Sequence, residues 1–225
     1  MMNKNELLRR YLILVVSLFI IAFGISIVTR SNLGTSPISS LPYVASLNTP
    51  LSLGVYFFAL TIVLLALQML MLGKKGIIEQ KVNIFMQIPV GIVLSIFTDL
   101  TMWMLQDYAP DLYIVRIISL IIGCLVLALG ICFEVIADVT MISGEYTVQL
   151  IVKRFKKDFG FIKVIFDITL VMFSILCSLA MGGRIQGVRE GTVIAVLITG
   201  PFVRLIMPYL TPISFWLKNS TTENA

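Results

Sequence analysis

YIVRIISLIIGCLVLALGICFEVI, residues 113–136, holds 24 residues and only two charges, Arg116 near its start and Glu134 near its end. At 1.5 Å per residue a helix of that length reaches about 36 Å, enough to cross roughly 30 Å of hydrocarbon. The stretch reads as a membrane-spanning helix. Working outward, residues 11–29, 54–72, 82–104, 160–181 and 191–217 have the same character, which makes six spans. The first follows Lys4, Arg9 and Arg10, as a secretory signal would. Its apolar run is longer than that of a signal peptide and no small-x-small site closes it, so it reads as a retained helix.

Composition agrees. The chain is 58% hydrophobic and 13% charged, with a mean hydropathy of +1.00, whereas soluble domains carry about a quarter charged residues. Too little polar surface is present to cover a soluble fold of 225 residues. The expected fold class is all-α, a polytopic membrane bundle forming one integral membrane domain over residues 1–225. The lipid bilayer is its first partner, and a homo-oligomer is left open. A net charge of +5 invites a nucleic-acid reading, but the basic residues flank apolar runs and form no stripe with interleaved aromatics, so no nucleic-acid partner is expected. There is no histidine and no CxxC spacing. Neither a metal site nor a cofactor is expected, and Cys124, Cys132 and Cys177, all inside apolar runs, read as small packing residues.

Lysine and arginine collect on one side. Lys4, Arg9, Arg10, then Lys74, Lys75, Lys81, then Lys153, Arg154, Lys156, Lys157, and finally Lys218 all fall there if the N-terminus is inside, so both termini are expected in the cytoplasm. Arg30, Asp99, Arg116, Arg184, Arg189 and Glu190 form a shallower outer set, read mostly as interfacial anchors.

Residues 35–48, TSPISSLPYVASLN, and 141–155, MISGEYTVQLIVKRF, are too short to span. Each is either an interfacial helix or a re-entrant half-helix. Thr35 or Ser36 suits an N-cap ahead of Pro37. Sliding the chain by 106 positions lays Ala22 and Gly24 on Ala128 and Gly130, and Gly54 on Gly160, with no gap. The order span, short helix, glycine, span, charged turn, span then repeats, with halves at about residues 10–104 and 113–217. Three spans per unit put the copy upside down, a 3+3 inverted repeat of the kind common in secondary transporters.

SGEYTVQLIVKRFKKDFGFIKVIFD (143–167), IQGVREGTVIAVLITGPFVR (185–204) and FGISIVTRSNLGTSPISSLPYVAS (23–46) resemble the YczE/YitT-like family of bacterial membrane proteins. The resemblance implies a multi-span protein of the bacterial inner membrane, with poorly defined activity and no catalytic residue or substrate to transfer. The second short segment departs from the first, with Ser143, Gly144 and Glu145 where the first has Pro37, Ile38 and Ser39.

Charges inside a span cost several kcal/mol and need a partner or a task. Rise per residue places Gln87, Glu134, Glu145, Lys163, Asp167 and Arg204 in the cytoplasmic half, and this set is the candidate substrate or proton site. Asp167 and Arg204 fall at similar depth and are expected to pair, with Lys163 one turn from Asp167 on the same helix face as the alternative partner. Glu134 and Asp138 share a face. Pro89 with Gly91, and Gly200 with Pro201, mark kinks or close packing. The expected function is a secondary transporter or exporter of a small polar or amphipathic molecule or ion, and the other reading is a non-transporting membrane scaffold or regulatory partner. Enzymatic activity is not expected in a chain that lacks the commonest general base and any Ser/His or metal-ligand constellation, and no Walker-type loop supports ATP hydrolysis.

Overall fold

The computed structural model describes residues 4–219, with side chains described over residues 6–212. The side chains of Lys4 and Lys218 therefore lie outside the described residues. Eight helices follow in order: α1 (Lys4–Arg30), α2 (Pro37–Leu47), α3 (Leu53–Glu79), α4 (Lys81–Met104), α5 (Tyr113–Ala137), α6 (Ser143–Phe155), α7 (Phe159–Gly182) and α8 (Glu190–Asn219). All but α2 and α6 are long and apolar enough to cross a membrane. No strand occurs among the described residues.

Local chemistry sets the boundaries. The Ser52 hydroxyl accepts the Val55 N–H at 3.3 Å to cap α3, and the Asp158 carboxylate accepts the Phe161 N–H at 3.1 Å to cap α7. These satisfy amide donors that the first turn leaves open. Pro37 opens α2 behind Ser36, as expected, although the Ser36 hydroxyl bonds Ser39 Oγ at 2.6 Å instead of an amide. The expected end of the second span at residue 72 coincides with a break: Gly73 takes φ 62° and ψ 177°, a backbone open chiefly to glycine. The segment beyond, carrying Lys74 and Lys75, is helical rather than a plain turn.

At the centre α1 and α5 cross in opposite directions with almost no side chain between them. A Cβ on Gly24 would lie 2.6 Å from the Leu127 nitrogen, and one on Gly130 would lie 2.8 Å from the Ile21 nitrogen. Such small-residue contacts let backbones approach closely where lipid supplies no hydrophobic drive between helices. The two contacts exchange under the 106-residue shift. Packing partners do likewise: α4 lies on α1 as α8 lies on α5, and α2 lies on α7 as α6 lies on α3. One relation is unequal, since α3 packs closely on α4 while α7 barely touches α8. Gly91 of α4 seats against Thr61 of α3. Its counterpart by the same shift, Leu197 of α8, is 65% exposed.

The first turns of both short helices are buried, and the end of the Ile38 side chain of α2 packs onto Gly144 of α6. The far end of α6, from Lys153 onward, is exposed. Each helix therefore starts inside the bundle and ends at its surface, with protein around the backbone of its first turn.

Candidate functional site

The buried start of α6 organises the polar cluster. Asp138 takes a left-handed backbone, φ 49° and ψ 41°, which ends α5 and folds residues 139–142 back along it. The Ile142 N–H thereby donates to Glu134 Oε1 at 2.6 Å. Glu134 is 2% exposed, and its Oε2 has no hydrogen-bond partner among the described residues. It lies about 10 Å along α5 from the Gly24–Leu127 crossing at 1.5 Å per residue, in the last turn of the span. Asp138 turns outward with an 80% exposed side chain, 3.9 Å from Arg10 Nη1. The expected face shared by Glu134 and Asp138 is thus undone by the helix ending between them.

Glu145, in the first turn of α6, reaches α7. Its Oε1 lies 3.2 Å from the Lys163 ammonium, which is also 3.1 Å from Asp167 Oδ1. The second pair joins residues four apart on α7, the spacing that places side chains on one helix face. The Phe166 ring lies 6.0 Å from the same ammonium, within the range of a cation–π contact. The expected Asp167–Arg204 pair does not form. Arg204 is exposed, and its guanidinium sits beside Gly160, where α7 begins. Rise per residue measures depth but not separation, and α8 stands away from α7.

Gln87 meets a residue that sequence reasoning passed over. Its amide and that of Gln68 exchange two hydrogen bonds of 3.0 Å, and Gln68 Nε2 also lies 3.1 Å from the Ser143 carbonyl and 3.0 Å from Thr147 Oγ1. The pair ties α3 and α4 to the first turn of α6. The usable signal was an amide in the middle of an apolar span, which must find a partner. Gln68→Leu is expected to cost about 1–3 kcal/mol, because the Gln87 amide is left buried and unpaired. Gln68→Leu with Gln87→Leu should cost less than the sum of the single changes. Denaturation in detergent measures both, and strictly additive losses would break the coupling.

Two further groups were missed. Arg10, read as a flank, is 5% exposed and bonds Glu6 at 3.0 Å and the Ala137 carbonyl at 3.1 Å, fastening α1 to the end of α5. Asp99, read as an anchor, accepts the Gly54 N–H at 2.7 Å and the Ser52 hydroxyl at 2.6 Å, closing the first turn of α3. Around the start of α2 the place of the charged cluster is taken by hydroxyls: Thr29 to Thr35 at 2.8 Å, Thr35 to Ser39 at 2.6 Å, and the Thr35 N–H to Thr192 at 3.1 Å.

Six long apolar helices, two short helices with buried first turns and a cluster of acidic and basic side chains at the start of one of them define a polytopic α-helical membrane protein. Residues 8–208 match DUF6198, a family of unknown function, and the chain belongs to that family. No curated protein and no solved structure matches the chain.

Proposed function

We propose that this chain is a secondary transporter or exporter of a small polar or amphipathic molecule across the bacterial inner membrane, with both termini cytoplasmic. The observation that carries the reading is the group Glu134, Glu145, Lys163 and Asp167, set inside the bundle at the start of a half-helix. Intramembrane ionisable residues are costly and mark substrate or ion pathways by default. Broken helices aimed at a central site are the recurrent device of such carriers. The packing partners that exchange under one shift favour a 3+3 inverted repeat. The unequal α3–α4 and α7–α8 contacts favour two halves holding different arrangements of the same elements, as alternating access requires.

A scaffold reading draws on α8, whose most apolar window is only 6% buried and offers a long face to a neighbouring membrane protein. A mass-detected metabolite screen in reconstituted vesicles separates the two. The transport reading expects at least one solute to accumulate with the native chain and not with Asp167→Asn. No difference for any solute, with both proteins folded, favours the scaffold.

A further inference from the structure

The charged cluster is short of positive charge and of hydrogen-bond donors. Glu134, Glu145 and Asp167 bring three carboxylates against one ammonium, that of Lys163, which leaves two negative charges when all are ionised. Lys163 is already shared between Glu145 and Asp167. Glu134 draws on the Ile142 N–H and on the start of α6, whose dipole supplies roughly half a positive charge. The nearest arginines are committed or distant: Arg10 bonds Glu6 and the Ala137 carbonyl, and Arg204 is exposed beside Gly160.

One oxygen registers the shortfall. Glu134 Oε2 is buried without a hydrogen-bond partner among the described residues, whereas Asp167 Oδ1 has the Lys163 ammonium at 3.1 Å. Glu134 and Glu145 are both held at the start of α6, the one by the Ile142 N–H just ahead of it and the other in its first turn. A buried carboxylate oxygen without a donor is expensive, so a ligand that supplies one gains what the protein withholds. A hard metal ion would need several oxygen ligands converging at 2.0–2.6 Å. Among the described residues no three acidic, cysteine or histidine side chains are disposed to hold one, and the Gln68 and Gln87 amides are taken up by each other.

We infer that this site takes a cation bearing N–H donors, a primary amine, which donates to Glu134 Oε2 beside the Lys163 pairs. The inference rests on the transport reading for what happens after binding, but not for the binding itself.

The test measures thermal unfolding of the purified full chain in detergent with butylamine, tetramethylammonium chloride or sodium chloride at equal ionic strength. Butylamine should give a saturable rise in Tm of several degrees, since a ligand of the native state stabilises by mass action. Tetramethylammonium, which has no N–H, and sodium should not. The rise should vanish in Glu134→Gln and persist in Asp138→Asn. Should Glu134→Gln fail to fold, Glu134→Asp keeps the charge but withdraws the oxygen by one methylene, and should weaken the amine at least tenfold. No response to butylamine, an equal response to sodium, or an unchanged response in the Glu134 variants overturns the inference. Radiolabelled butylamine in vesicles separates this from the transport reading. Binding without uptake of butylamine, together with no solute moved in the metabolite screen, overturns transport and leaves the amine site. Uptake of a neutral or anionic solute that Asp167→Asn abolishes, without any butylamine response, overturns the amine site and leaves transport.

Discussion

Replacing Lys163 with methionine is expected to lower the stability of the folded chain by about 3–5 kcal/mol, the range for removing one partner of a buried ion pair. The ammonium is the only cation within 4.0 Å of either Glu145 or Asp167 among the described residues. Its loss leaves two carboxylates facing each other in a site that is largely closed to water, with side chains 18% and 10% exposed. Removing those charges as well, in Lys163→Met with Glu145→Gln and Asp167→Asn, should recover most of the loss. An uncharged trio needs no neutralisation, and replacing a whole buried ionic group is often neutral. Chemical denaturation in detergent checks both steps. A loss below about 1 kcal/mol for Lys163→Met would mean that the ammonium snorkels to headgroups and holds nothing together. The neutral triple variant also divides the two functional readings: a carrier that needs the charges folds and stops moving solute, and a scaffold keeps its partner.

The second large effect belongs to the α1–α5 crossing. Gly24→Ala should cost about 1–3 kcal/mol, the range for overpacking a close contact. The obstacle is the Leu127 backbone, with its nitrogen at 2.6 Å and Cα at 2.8 Å from the added carbon, and backbone cannot swing away as a side-chain end can. Gly130→Ala should behave alike, since it meets the Ile21 nitrogen at 2.8 Å. The double variant should cost less than the sum, because one intrusion already parts the helices and relieves the other. Gly200→Ala is the control: nothing lies within 4 Å of its added carbon, and alanine is the better helix former by about 1 kcal/mol. Thermal unfolding of the native chain and the four variants in one detergent measures this. A Gly24 variant as stable as the Gly200 variant would show that the crossing is looser than the glycine contacts require.

Legibility of the site followed the range of each interaction. Lys163 and Asp167 were readable as a pair because four residues of helix fix their geometry wherever the helix sits. Glu145 needed α6 to begin beside α7, and Gln68 needed α4 and α6 to arrive at the same point, so neither partner follows from spacing. Arg204 failed for the converse reason. Its depth was readable, but its distance from Asp167 depends on how far α8 stands from α7, and a span that faces lipid on most sides leaves that distance free in the sequence. Asp138 misled because its left-handed turn lies where helical spacing was extended past the end of the helix.

By itself the sequence determined the quantities that accumulate along one stretch of chain: six lengths of hydrocarbon-compatible helix, two stretches too short to cross, and the 106-residue register that pairs Gly24 with Gly130. Each follows from rise per residue, side-chain transfer energies and steric room, which need no knowledge of neighbours. The tertiary structure alone decided that α2 and α6 start inside the bundle, that α8 stands off from α7, and that Glu134 is left with an unbonded oxygen at the start of α6. Those outcomes depend on which backbone comes close enough to donate, accept or exclude. In a bilayer that is settled by helix contacts between residues distant in sequence, because every face of a span is nearly as apolar as the lipid it meets.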